Sequence, residues 1–318
     1  MKKMIHTVLG QVAPEQLGFT QCHEHILLRR GRSFEINPAL CIEDREKSLQ
    51  EVRDYRRAGG SALVEAQPVG CGRISRGLEE ISKASGVHIV ASTGFHKMIF
   101  YPEEHWIHRI EEQDLAEIFT EELTEGMLPE ADGELTPDRQ AARDGIIKTA
   151  LDSCGLTETY QRLFRAAVRA HRNTGAPIMV HIEKGSPPAE LARALRDWGA
   201  DPEKIYFCHM DRACGSREMF LRVLDAGISL EFDTIGRYKY HSDAFELELI
   251  KGILDLGYES QLLFSLDTTR ERLKAYTAEA VGLTYILKTF LPAMENAGIT
   301  KRQIEKISVE NPAGILAW

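Results

Sequence analysis

Eight short apolar runs, most of them separated by amphipathic stretches, constrain this chain more than any other feature of its sequence. They cover residues 18–26, 61–65, 87–93, 145–150, 177–182, 204–209, 227–233 and 261–267. Most are rich in Val, Ile, Leu or Phe and are short enough to be strands. Helical periodicity fills intervals such as 158–174, 188–198 and 244–256. Strands that alternate with helices imply parallel pairing through crossovers. Eight such units predict the α/β class and a closed (β/α)8 TIM barrel rather than an open sheet. One barrel accommodates all 318 residues, so 1–318 is expected to be a single domain. No repeat, low-complexity tract or linker divides it.

The stretch from residue 97 to 143 breaks the regular spacing. It contains YPEEHW, a helical pattern near 114–125, and the Pro/Gly/Asp-rich MLPEADGELTP. This predicts an elaborated loop and helix inserted after the third strand. Long loops at the C-terminal ends of barrel strands commonly help to form the site; a decorative surface insertion is the other reading.

Polar residues gather at the ends of these runs. His23 and His25, in FTQCHEHI, are two apart, so on a strand both imidazoles face the same side. That is half of a zinc-type site, although His-x-His alone is a weak signal. His181 closes PIMVHI, His209 closes KIYFCH and Asp267 closes QLLFSLD. These are the positions where barrel enzymes keep their chemistry. Positions 148, 181 and 209 are each about one strand–helix unit apart, and 267 follows two units later.

Lys148, in DGIIKTAL, is the unexpected member, because a bare ammonium inside a barrel is costly. Three readings are open: a salt-bridged structural lysine, a Schiff-base lysine of an aldolase, and a lysine carboxylated by CO2, whose carbamate can bridge two cations. The aldolase reading leaves the four histidines without a role, which favours the carbamate.

With these residues in place the chain resembles the phosphotriesterase-like branch of the amidohydrolase superfamily. The resemblance rests on LGFTQCHEHI, DGIIKTALD, TGAPIMVHIEKG, IYFCHMD, LLFSLDTT and VENPAGIL, which span nearly the whole chain. It implies a binuclear metal centre in which His23, His25 and Asp267 bind the more buried metal and His181 and His209 the more exposed one. Carboxylated Lys148 and a hydroxide would bridge the pair. Zinc is the first choice, and histidine with carboxylate also suits Mn, Co or Fe. Asp267 would take the proton as the hydroxide attacks. Asp211, in HMD, is expected either to fix an imidazole through a hydrogen bond or to cap the surface.

The loops after the seventh and eighth strands read DTIGRYKYHSD and DTTRERLKAY. Lys239, Tyr240 and Arg270 supply an ammonium, a phenol and a guanidinium, a set suited to phosphate. Arg237 and Arg272 are read as solvated charges. The Lys-Tyr-plus-Arg pattern looks like the subgroup that hydrolyses phosphorylated sugar lactones. The chain departs from relatives with an aromatic hydroxyl just after the strand-3 glycine, because Phe95 stands there; Lys97 and Tyr101 are the candidates to replace that substrate contact. Phosphotriesterase-like hydrolysis, a Schiff-base aldolase at Lys148 and a non-catalytic metal-binding module are the alternatives.

Net charge −9 disfavours a nucleic-acid surface but permits a local basic pocket for a small anionic substrate. Cys22, Cys41, Cys71, Cys154, Cys208 and Cys214 form no Cys-x-x-Cys pair and are read as reduced thiols of a cytoplasmic protein. No apolar run is long enough for a transmembrane helix and no signal peptide is recognised, so no membrane partner is expected. A homodimer is expected from the resemblance alone.

Overall fold

The computed structural model describes residues 3–129, 131–213 and 216–318; Cys214 lies outside the described residues. Among these residues are eleven strands: β1 (Ile5–Thr7), β2 (Gly10–Val12), β3 (Thr20–Glu24), β4 (Ala62–Glu65), β5 (His88–Val90), β6 (Ser92–Gly94), β7 (Ile146–Leu151), β8 (Ile178–Ile182), β9 (Ile205–Cys208), β10 (Ser229–Phe232) and β11 (Leu262–Phe264). β1 and β2 form an antiparallel hairpin. The rest pair in parallel in the orders β3-β4-β5 and β6-β7-β8-β9-β10-β11. Only Ala91 separates β5 from β6, and its carbonyl accepts the Gly145 N–H at 2.9 Å, so the two together make one barrel strand. The Asp267 N–H donates to the His23 carbonyl at 3.1 Å and joins the last strand to the first. The result is a (β/α)8 barrel with eight strand positions, as the alternation predicts.

Parity along each strand sorts side chains into two layers. Ile178, Val180, Ile205, Phe207, Leu262 and Phe264 pack outward in the cluster shared with the helices. Met179, Tyr206, Cys208 and Leu263 pack inward with Cys22, Val64 and Ile146. At the end where the strands begin, Ile5, Leu17, Ile315 and Leu316 join this inner cluster. Reciprocal Met4–Trp318 backbone hydrogen bonds of 3.0 and 2.9 Å hold the two chain ends there. The barrel floor is thus packed with apolar side chains, and polar groups are left for the opposite mouth.

The expected helices appear at Glu158–Thr174, Pro188–Asp197 and Asp243–Asp255. In the inserted segment the helix spans Glu112–Thr124. A buried ion cluster ties that insertion to the barrel. Arg73 donates to Glu122 at 2.6 Å, to Asp144 at 2.8 Å and to the Ser92 carbonyl at 2.9 Å. Removing one partner of a buried pair leaves the others uncompensated, so Arg73→Met should cost about 3–5 kcal/mol. Urea unfolding measures this, and an unchanged midpoint would contradict the assignment.

Candidate metal centre

His23, His25, Lys148, His181, His209 and Asp267 meet at the barrel mouth, and the local backbone explains how each gets there. Lys148 and His181 lie on the inward parity of β7 and β8, set by Ile146 and Met179. β3 carries one extra residue between Gln21 and Glu24 relative to β4. Such a bulge re-aims side chains: Cys22 remains in the inner cluster, while His23 still turns to the centre. His209 follows the inward Cys208, and plain alternation would send it outward; its backbone is instead left-handed at φ 63°. Asp267 is left-handed too, at φ 49°, and these are the only non-glycine positive-φ residues among those described. Strained backbone of this kind concentrates at functional sites. Gly94 is needed for a different reason. A Cβ there would stand 1.9 Å from the Lys148 carbonyl oxygen, so only glycine lets β6 approach the lysine strand.

The imidazole nitrogens and the carboxylate converge. His23 Nε2 and His25 Nε2 each lie 3.7 Å from Asp267 Oδ1. His181 Nδ1 and His209 Nε2 face each other at 2.7 Å. Lys148 Nζ is 3.3 Å from His23 Nε2 and 3.2 Å from Met179 Sδ. His23, His209 and Asp267 each bring a donor atom within 4.8 Å of the others. All six residues are buried, Lys148 completely. The Nδ1 atoms of His23 and His25 are buried without hydrogen-bond partners. Four imidazoles, a carboxylate and an amine, two of the imidazoles with an orphaned buried nitrogen, are a donor set that fits divalent cations.

Electrostatics favours the ligand-competent forms. Burial, reinforced by neighbouring cations, lowers the imidazoles of His23, His181 and His209 well below their ordinary range and keeps them neutral. Burial also lowers the Lys148 amine, against the opposing pull of Cys208, Asp267, Glu231 and Asp233. For Asp267 burial works upward, but Arg237 and Arg212 outweigh it and hold the carboxyl well below the usual range. Those guanidiniums touch Asp267 Oδ2 at 2.6 and 3.0 Å.

Several important neighbours are not among the residues singled out from the sequence. Asp233 accepts the His209 N–H at 2.9 Å and lies 2.7 Å from its Nδ1, so it fixes that ring. Glu231 Oε2 and Asp233 Oδ2 stand 3.4 and 3.6 Å from His23 Nδ1, and Glu65 Oε1 stands 3.4 Å from His25 Nδ1. The motif EFD, with two carboxylates at i and i+2 in an apolar strand, is the signal that identifies the first two. Asp211 does not fix an imidazole: it is buried and accepts the Thr234 N–H and hydroxyl at 2.6 and 2.5 Å. Arg237 and Arg272 are not solvated charges either. Arg237 pairs with Asp267, and buried Arg272 donates to the Ile235 and Gly236 carbonyls.

The proposed substrate contacts separate. Phe95 packs outward against Phe164, with ring centroids 5.2 Å apart. Tyr101 is buried, and its hydroxyl accepts the His96 N–H at 2.9 Å, so it is held inside the insertion rather than offered at the mouth. Lys97 reaches the centre indirectly: its ammonium donates at 2.6 Å to Glu183, which lies 3.3 Å from His181 Nε2. Lys239, Tyr240 and Arg270 are all exposed. The Tyr240 ring has Arg212 and Lys239 at 5.1 Å and Arg237 at 5.6 Å, so a basic cluster runs from the exposed Tyr240 down to Asp267. Arg270 sits apart from these contacts, its N–H donating to the Ala39 carbonyl at 3.0 Å.

Cys22, Cys41, Cys71, Cys154 and Cys208 are unpaired. Among the described residues no helix is long and apolar enough to cross a membrane.

Comparison with known proteins gives a consistent picture. The profile of the phosphotriesterase family matches residues 3–316. A phospho-furanose lactonase of Mycoplasmopsis synoviae is 30% identical, over 99% of this chain and 92% of that protein. The crystal structure of an amidohydrolase from Mycoplasma synoviae superposes with a TM-score of 0.95 at 29% identity, covering 100% of this chain and 92% of that one. A lactonase from Listeria monocytogenes superposes with a TM-score of 0.89 at 29% identity, covering 98% of each chain. These relatives carry hydrolase names, and the Schiff-base aldolase reading of Lys148 finds no support in them.

Proposed function

This chain belongs to the phosphotriesterase family, and from that premise we propose that it is a metal-dependent lactonase that opens a phosphorylated sugar lactone. The observation that carries the substrate class is the basic cluster around Tyr240, which is continuous with the metal centre through Arg212 and Arg237. The lactonase chemistry rests on the convergent donor set and on the relatives named above.

His23, His25 and Asp267 would hold one divalent cation and His181 and His209 the other, and Lys148, carboxylated by CO2, would supply a further anionic ligand. Zinc is the first choice. Lys148 suits the modification because only a neutral amine attacks CO2, and burial favours that form. When bound, the two cations polarise the lactone carbonyl and lower the pKa of a water at the centre toward neutrality. Asp267, kept ionised, accepts the proton of that water as the acyl carbon is attacked, and returns it to the ring oxygen when the ester bond breaks. Asp233 holds the His209 ring in place for this chemistry. Once Asp267 is engaged by metal, Arg212 and Arg237 are left to pair with an anionic substrate. The five cysteines among the described residues are unpaired, which fits a reducing, cytoplasmic setting.

Lys239 and Tyr240 bind the substrate phosphate, remote from the bond that breaks, and Arg270, which lies outside the Tyr240 cluster, would join them from the neighbouring loop after β11. A charge-assisted contact contributes about 1.5–3 kcal/mol, so Arg270→Met should lower kcat/KM on a phosphorylated furanose lactone by about one to two orders of magnitude. The unphosphorylated lactone should be far less affected, with metal content unchanged. Steady-state kinetics on the two substrates with wild type and mutant checks this. Equal proportional losses would make Arg270 structural. Wild-type protein inert to both lactones but active on a phosphotriester would replace the lactonase reading with the phosphotriesterase-like one.

A further inference from the structure

A second group of buried ligand-type side chains lies beside the centre. Asp211 stands on the short helix Met210–Ala213, Thr234 and His241 on the segment after β10, and Glu246 in the helix Asp243–Asp255. Glu246 is completely buried, yet neither of its carboxylate oxygens accepts a hydrogen bond of good geometry. Asp211 Oδ1 is buried and unpartnered as well. His241 Nε2 is 3.2 Å from Glu246 Oε2 and 2.8 Å from Thr234 Oγ1. Asp211, His241 and Glu246 each present a ligand atom, and these atoms lie within 4.8 Å of one another.

Two facing carboxylates with orphaned oxygens in a dry interior require either a shared proton or a cation. Burial, and then the carboxylates of Asp211, Asp233 and Asp243, push the Glu246 carboxyl well above its ordinary range, which reflects negative charge left uncompensated. Arg212 and Arg237 pair directly with Asp267, although the Arg212 charge also bears on Asp211. We propose that Asp211, His241 and Glu246, with the Thr234 hydroxyl beside them, bind a divalent cation distinct from the pair at His23 and His209.

Two carboxylates balance a divalent charge, and with one imidazole they make a donor set suited to Zn or Mn; Ca, which takes six to eight oxygens, fits poorly. The ligands come from both sides of a functional boundary. Asp211 is two residues past His209, while residues 234–246 carry Arg237, Lys239 and Tyr240. The cation therefore pins the segment that meets the substrate to the end of β9.

Elemental analysis of the full-length protein, prepared without chelators and dialysed against metal-free buffer, tests this. Glu246→Gln is nearly isosteric and His241→Asn alters a half-buried residue, so one guards against misfolding of the other. Each should lack about one equivalent of divalent metal that the wild type retains. Zn2+ added to dialysed protein should raise the Tm of the wild type more than that of either variant. The metal count is a difference and does not depend on how fully the His23 centre is loaded. Metal content and Zn2+-induced Tm shift equal to wild type in the folded variants would overturn the proposal and leave a proton shared between Asp211 and Glu246.

Discussion

Lys148→Ala should lose the metals of the His23 centre and nearly all lactonase activity, with the far-ultraviolet circular dichroism unchanged. The side chain lies on the inward face of β7, fully buried, with its amine 3.3 Å from His23 Nε2. Alanine removes the side chain that, once carboxylated, would place a second anion beside that of Asp267 at the two histidine sets. The expected fall in kcat exceeds about 10³-fold, more than deletion of a single oxyanion donor costs. Bicarbonate with a short carboxylic acid should partly restore metal and activity, because a free carboxylate in the vacated space would take the place of the proposed carbamate. Restoration separates a bridging role from a structural one, since added acid cannot repair a collapsed core. Full activity in Lys148→Ala would rule out the bridge, and an unmodified amine in a crystallographic map of active protein would rule out the carbamate.

Asp267→Asn should lower kcat by about 10²–10⁴-fold, the range of general acid–base catalysis. Asparagine is the informative replacement because Asp267 has φ 49°, and asparagine tolerates left-handed backbone much as aspartate does. Fold and strand closure, including the Asp267 N–H to His23 carbonyl bond, are expected to survive. What is lost is the anion: an amide cannot take the proton of the attacking water, and it no longer attracts Arg237 and Arg212. Leaving those two guanidiniums without their carboxylate should also lower the thermal midpoint, so kcat is compared at a temperature where both proteins are folded. An unchanged kcat would remove Asp267 from the chemistry.

The barrel was legible because two periodicities agree. Val180, Phe207 and Phe264 pack outward while Met179, Tyr206 and Leu263 pack inward, and that alternation, repeated at strand–helix spacing, leaves few other architectures. The strand ends were equally readable, since His181 and Asp267 each close an apolar run. Parity did not reveal the β3 bulge or the left-handed turn at His209, because both depend on pairing with neighbouring strands rather than on local composition. Asp233 and Glu231 carried a readable signal, two carboxylates on one face of an apolar strand. Arg212 and Arg237 carried none: each looks like a solvated charge until the fold brings it to Asp267. Tyr101 was attractive by position alone, and the fold of the insertion turns its hydroxyl to the His96 amide instead.

Whether a binuclear centre depends on Lys148 is decided by elemental analysis of wild type and Lys148→Ala side by side. Active wild-type protein prepared without chelators should carry about two equivalents of divalent metal per chain that the variant lacks. Metal near zero in fully active wild type, or equal metal in the two proteins, would contradict it.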